Sequence, residues 1–229
     1  LSTVSRSLNS LPEKNPRCAV ARAKSKMQIP SHFYAMVDTA GGHEPVTLAQ
    51  ILLDAGVKIM QLRLKDASSR DFLAVAGAIS RLCRDRQAML IVNDRADIAK
   101  LVDAAGVHVG QEDLPLAAAR QIVGAGKVVG VSTHTLAQAL AAEQGGADYI
   151  GFGAIYTGGL KNVRNAQGLE RLREVRAAVR LPIVAIGGIT QATVPEVLAA
   201  GANAAAIITD VVRAPDIAAK VRAILSAHP

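Results

Sequence analysis

Two aspartates one strand apart carry the first chemical suggestion. The run IVNDRADIA at 91–99 ends an apolar strand in Asn93-Asp94-Arg95, and GVHVGQEDLP at 106–115 ends a second in Gly110-Gln111-Glu112-Asp113. Carboxylates at the C-terminal ends of neighbouring strands suit one shared magnesium ion, which takes hard oxygen ligands and often bridges phosphate oxygens. Each also precedes a helix, so N-capping accounts for either aspartate alone. Asp97 fits the first turn of the following helix, beside its dipole or Arg95. Arg63 and Lys65 stand two apart and would share one face of a strand. Two cations on one face need an anion or open solvent, which leaves a diphosphate clamp, with Asn93 as a further donor, or a solvated strand end. Gly187 and Gly188 of IGGI let backbone N–H groups approach a phosphate, and Ile208-Thr209 ends another strand nearby in sequence. His134, after VST, is either a structural residue or a proton shuttle with a reference pKa near neutrality.

These groups need a frame, and from residue 31 onward the chain supplies one. Short β-rich runs at 32–38, 59–64, 88–94, 106–110, 128–133, 149–153, 182–189 and 204–209 alternate with helical stretches near 46–55, 68–86, 95–104, 114–123, 135–145, 168–180, 191–200 and 214–226. Apolar strands separated by helices predict a parallel sheet with crossover connections. Eight such units predict a closed (β/α)8 TIM barrel, an α/β fold whose active site lies at the C-terminal ends of the strands. A doubly wound open sheet is the alternative, though it usually has fewer strands and different glycine placement. The phrases LLDAGVKI, LVDAAGVHV, EQGGADYI and LAAGANAAA repeat a helix end, a small-residue turn and a strand. They mark αβ turns at the far end of the barrel.

Composition narrows the classes. The chain has 229 residues, half of them apolar, with no Trp, three Phe and three Tyr, so the core is built from Ala, Val, Leu and Ile. No apolar run approaches the ~18 residues of a membrane span. The net charge of +7 is concentrated at the start: Arg6, Lys14, Arg17, Arg22, Lys24 and Lys26 oppose Glu13 alone in residues 1–30. That segment reads as a basic, flexible extension, with a targeting segment as the other reading. Residues 31–229, near +2, read as one barrel domain with no nucleic-acid or membrane partner. Cys18 and Cys83 make neither a disulfide framework nor a zinc spacing, which fits a cytoplasmic protein. A homo-oligomer is left open.

With those residues in place, the chain resembles the thiamine phosphate synthase family, also called thiamine-phosphate pyrophosphorylase. QLRLK, IVNDRADIA, GVHVGQEDLP, GVSTH, GADYIGFG and PIVAIGGIT match it in order and spacing over most of 32–225. The resemblance implies a (β/α)8 barrel that joins hydroxymethylpyrimidine diphosphate to hydroxyethylthiazole phosphate, releasing diphosphate by a dissociative, magnesium-assisted route. It implies that Arg63, Lys65, Asn93 and Lys161 hold the diphosphate and that Asp94 and Asp113 bind Mg2+. Ser132 would sit near the pyrimidine and leaving group, and Gln61 would contact the pyrimidine. Arg63, Lys65, Ser132 and Lys161 would be the catalytic set, and Gly187, Gly188, Ile208 and Thr209 would hold the thiazole phosphate.

The match breaks in two places. The family loop after strand six typically reads like GPIFPTPTK, whereas GAIYTGGLK here keeps Lys161 but sets Gly158 and Leu160 where threonines are usual. Thr209-Asp210 replaces a usual Ser-Ala, and a carboxylate at that position competes with phosphate. Both changes fall on the thiazole half of the site. Two alternatives stay open: a related thiazole tautomerase, with His134 as acid/base, and a non-catalytic protein that binds the pyrimidine diphosphate. The paired Asp94 and Asp113 favour the synthase.

Overall fold

A computed structural model describes residues 27–157 and 166–227. Eight parallel strands close on themselves: β1 (Phe33–Asp38), β2 (Ile59–Arg63), β3 (Met89–Asn93), β4 (Gly106–Val109), β5 (Val128–Thr133), β6 (Tyr149–Gly153), β7 (Ile183–Ile186) and β8 (Ala204–Ile207). β1 pairs with both β2 and β8, so no edge is left open. The strands are apolar nearly throughout because one face looks into the barrel and the other under the helices; all six residues of β1 are buried.

The surrounding helices are α1 (Pro45–Asp54), α2 (Ser69–Asp85), α3 (Ala96–Leu101), α4 (Leu116–Val123), α5 (Leu136–Gln144), α6 (Gly168–Ala178), α7 (Val194–Ala199), α8 (Thr209–Val212) and α9 (Ile217–Ser226). Local chemistry sets several of their starts. The Glu44 carboxylate accepts from Val46 and Thr47 N–H ahead of Pro45, Ser68 Oγ accepts from Asp71 N, and Asp216 accepts from Ala219 N. Leu52, Ile79, Leu172 and Val221 then cover the outer face of the sheet at 1% exposure or less. Each such side chain contributes on the order of 2 kcal/mol. Cys83 is buried in α2, while Cys18 lies outside the described residues.

The strands and long helices agree with the sequence reading to within a few residues. Three of the αβ turns behave as expected, with Gly56, Gly146 and Gly201 taking positive φ just past a helix end; in LVDAAGVHV the left-handed residue is Asp103, and Gly106 lies within β4. Two features differ. The four-residue α8 was not foreseen, because one turn is too short for apolar periodicity to register. β7 stops at Ile186 rather than 189, because Gly187 (φ 100°) and Gly188 (φ 66°) turn the backbone out of the strand. Both turns also need the absence of a side chain: a Cβ on Gly187 would lie 2.4 Å from Ala154 Cβ, and one on Gly188 2.8 Å from Tyr156 Cβ. Among the described residues no helix is long and apolar enough to cross a membrane.

Candidate active site

The C-terminal ends of the strands surround a cleft of about 1490 Å³. β2 sends Gln61 and Arg63 to it from one face, and Lys65 follows at the same spacing; Asn93 arrives from the end of β3. Asp38, the register partner of Arg63, is 3% exposed and accepts from its guanidinium.

Asp94 has φ 62°, the left-handed region, which an L-residue occupies at a cost on the order of 1 kcal/mol. The turn is held by Asp94 N donating to His108 O (2.8 Å) and Arg95 N to Asn93 O (2.7 Å). Asp113 Oδ2 accepts from Gly110 N at 2.7 Å, and its carboxyl group comes within hydrogen-bonding reach of Asp94. Neither aspartate caps a helix: the N-cap positions of α3 and α4 belong to Arg95 and Pro115. The capping explanation therefore falls for both. Asp97 does lie in the first turn of α3 and receives Arg95, as expected.

Burial, and then the facing Asp113, push the Asp94 carboxyl up to about 6, against the pull of Lys65 and Arg63. A carboxylate pair in this condition lacks positive charge, and its oxygens suit a hard divalent cation. Among the described residues no group of three or more His, Cys, Asp or Glu could hold a metal. The pair can therefore serve magnesium only where ligand or water oxygens complete the shell, which is magnesium's usual habit.

The floor of the cleft holds residues that the sequence reading left inside the strands. Gln61 Nε2 donates to Tyr34 Oη (3.2 Å), Tyr34 Oη meets Tyr149 Oη (2.8 Å), Tyr149 Oη meets His108 Nδ1 (2.9 Å), and His108 Nε2 meets Ser132 Oγ (2.8 Å). Burial drives His108 down to about 4, pushes Tyr34 up to about 12 and raises Tyr149, so all three are neutral at pH 7. The overlooked signal was glycine within strands, which marks close approach. A Cβ on Gly130 would lie 2.2 Å from Tyr149 Cζ and 2.6 Å from His108 Nδ1. Ser132 is also tied to the loop after β4, its carbonyl accepting from Gln111 Nε2 at 2.5 Å.

His134 lines the cleft, with Nδ1 2.7 Å from Gly153 O. Only a donor satisfies a carbonyl, so Nδ1 carries a proton. On the opposite wall Gly187, Gly188, Ile208 and Thr209 line the cleft, with Ile208 as N-cap and Thr209 as first residue of α8. Asp210 also reaches this wall but is engaged: it accepts from Gln191 N at 2.8 Å and pairs with Lys220 at 3.0 Å. Tyr156 Oη donates to Glu196 at 2.5 Å, fastening the start of the loop after β6 to α7. Lys161, Gly158 and Leu160 lie outside the described residues.

One cleft therefore gathers the cations Arg63 and Lys65, a carboxylate pair, a neutral polar floor and a glycine-rich wall. A family model described as thiamine monophosphate synthase matches residues 33–211. A thiamine-phosphate synthase of Shouchella clausii is 44% identical over 187 residues, covering 81% of this chain and 90% of that protein. One of Methanospirillum hungatei is 45% identical over 184 residues, covering 80% and 89%. Among solved structures, thiamine phosphate pyrophosphorylase from Pyrococcus furiosus superposes with a TM-score of 0.79 at 32% identity, covering 86% of this chain and 96% of that one.

Proposed function

Because the chain belongs to the thiamine monophosphate synthase family, we propose that it is a transferase that couples hydroxymethylpyrimidine diphosphate to hydroxyethylthiazole phosphate, releasing diphosphate and leaving thiamine phosphate. The observation that carries this reading is the Asp94–Asp113 carboxylate pair beside Arg63 and Lys65 in the cleft. A diphosphate with its divalent cation complements that charge pattern; a neutral substrate does not.

Arg63, Lys65 and Asn93 would receive the diphosphate oxygens, joined by Lys161 through its place in the family pattern. Magnesium held by Asp94 and Asp113 would supply neutralising charge to the leaving group. The pyrimidine would lie on the floor, its edge read by Gln61, with Ser132 near the carbon–oxygen bond that breaks. As diphosphate departs, positive charge develops on the pyrimidine methylene and the thiazole nitrogen captures it. Such a reaction calls for fixed charge around the leaving group more than for a strong base, and preorganised charge is usually a large catalytic effect. Gly187, Gly188, Ile208 and Thr209 would hold the thiazole phosphate through backbone N–H groups and the threonine hydroxyl. The partners are thus small molecules, and the setting is the cytoplasm.

His134 supports a second reading as a thiazole tautomerase, since it lines the cleft with Nδ1 held by Gly153 O. One assay separates the two. Purified protein, magnesium and both substrates should yield diphosphate and thiamine phosphate; Asp94→Ala should abolish this, and His134→Ala should leave most of it. Thiazole isomerisation lost in His134→Ala, with no coupling in the wild type, would replace the synthase by the isomerase.

A further inference from the structure

The buried line from Gln61 to Ser132 has a direction. An amide nitrogen can only donate, so Tyr34 Oη accepts from Gln61 Nε2. Two orders are open to the Tyr34–Tyr149 bond: the one that uses the Tyr34 proton sends it to Tyr149 Oη and the Tyr149 proton on to His108 Nδ1, whereas the reverse gives Tyr34 Oη two donors and leaves its own proton no acceptor among the described residues. A neutral imidazole has one acceptor and one donor. With Nδ1 accepting, Nε2 carries the hydrogen and gives it to Ser132 Oγ. Ser132 Oγ has then accepted, and its own hydrogen is the free end of the line, at the cleft.

The opposite direction would turn the Ser132 hydrogen back onto His108. Gln61, Tyr34, Tyr149 and His108 are each 7% exposed or less, so water has little access to scramble the order. Gly130 and Gly151, whose missing side chains make room for the Tyr149 and His108 rings, hold the geometry open.

We infer that this one-way chain, Gln61 to Tyr34 to Tyr149 to His108 to Ser132, fixes the Ser132 hydroxyl as a hydrogen-bond donor to the departing diphosphate. Tyr34, Tyr149 and His108 are then positioning residues for leaving-group departure. No proton changes owner; the chain sets which atom points its hydrogen outward, and successive bonds polarise one another. The assignment of the diphosphate as recipient rests on the function proposed above, whereas the direction of the chain does not.

The test is nitrogen-15 NMR of the full-length protein labelled at histidine, at pH 7.5, with the His108 signals assigned by their loss in His108→Asn. The Nε2–H tautomer is expected, and the Nδ1–H tautomer overturns the chain whether or not the protein turns over substrate. Kinetics test the role of the chain. Tyr149→Phe keeps the ring but cuts the line, and should lower kcat about tenfold while KM for the pyrimidine diphosphate stays within about threefold. Adding Ser132→Ala to Tyr149→Phe should then cost far less than Ser132→Ala alone, because the donor is already disoriented. Independent, multiplying losses would overturn the role. If Tyr149→Phe does not fold, Tyr34→Phe cuts the same line one step earlier. Absent coupling in the wild type alongside an Nε2–H tautomer would refute the synthase reading and, with it, the diphosphate as recipient, but not the direction.

Discussion

Arg63 Nη1 donates to Asp38 Oδ2 at 2.5 Å across the seam of β1 and β2, where the two residues are register partners. Their side chains are 21% and 5% exposed. The buried acid fixes one edge of the guanidinium, and the rest of that fork faces the cleft. Asp38 thus acts on the anion site without lining it.

Asp38→Asn should therefore raise KM for the pyrimidine diphosphate about tenfold, a loss of ~1.4 kcal/mol of orientation, with a smaller effect on kcat. Arg63→Ala leaves the buried Asp38 charge unpaired and should also destabilise the fold by about 3 kcal/mol in urea unfolding. An Arg63→Ala protein as stable as the wild type would show that Asp38 is satisfied without it.

Asp94 gives a pH signature. Its carboxyl holds its proton up to about pH 6 in the folded protein, against about 3.9 in an unfolded chain. Between these values the folded state binds more protons, so stability falls as pH rises from about 4 to 6 and stays reduced above that. In magnesium-free buffer Asp94→Asn should be more stable than the wild type at pH 7.5. The gain is about 1 kcal/mol once solvent screening is allowed for, or about 3 °C in Tm. At pH 4 the two should melt together. Magnesium with diphosphate should raise the wild-type Tm and leave that of Asp94→Asn nearly unchanged. Equal Tm values at pH 7.5 would count against a strained carboxylate pair.

The barrel and the charged rim were legible in the sequence because each rests on local, repeated patterns. Strand runs end in Arg63, Asn93-Asp94 and Gln111 through Asp113, and these ends converge once the sheet closes. The floor was not legible: Tyr34, His108 and Tyr149 sit on three strands that meet only across the barrel interior, and each alone resembles ordinary core. Asp210 was legible as a departure but not in its consequence. Its partners, Gln191 N and Lys220, come from two other elements.

Asp210 is paired, yet it keeps a carboxylate on the wall proposed for the thiazole phosphate. Asp210→Ser should lower KM for thiazole phosphate by about two- to fivefold, the scale of one charge near a helix start, and leave KM for the pyrimidine diphosphate unchanged. A higher KM would mean that the Asp210–Lys220 pair positions the wall rather than opposing the ligand.

At the opposite end of the barrel, Arg120 donates to Lys127 O and to the Asp148 carboxylate, which also accepts from Val129 N at 2.8 Å. This cluster joins α4 to β5 and to the turn before β6, far from the strand ends that form the cleft. Arg120→Ala should cost about 2–3 kcal/mol in urea unfolding and leave kcat/KM within about twofold at a temperature where the variant is folded. A large loss of kcat/KM in the folded variant would show that the two ends of the barrel are coupled.

The left-handed turn at Asp94 has a consequence for directed evolution. Glycine there would relax the backbone and, like asparagine, remove the facing charge. A library selected for heat resistance alone, without substrate or magnesium, would therefore enrich glycine and asparagine at position 94 and discard the proposed metal ligand among its first gains. Thermostable variants of this barrel need a selection that keeps the cation in the medium.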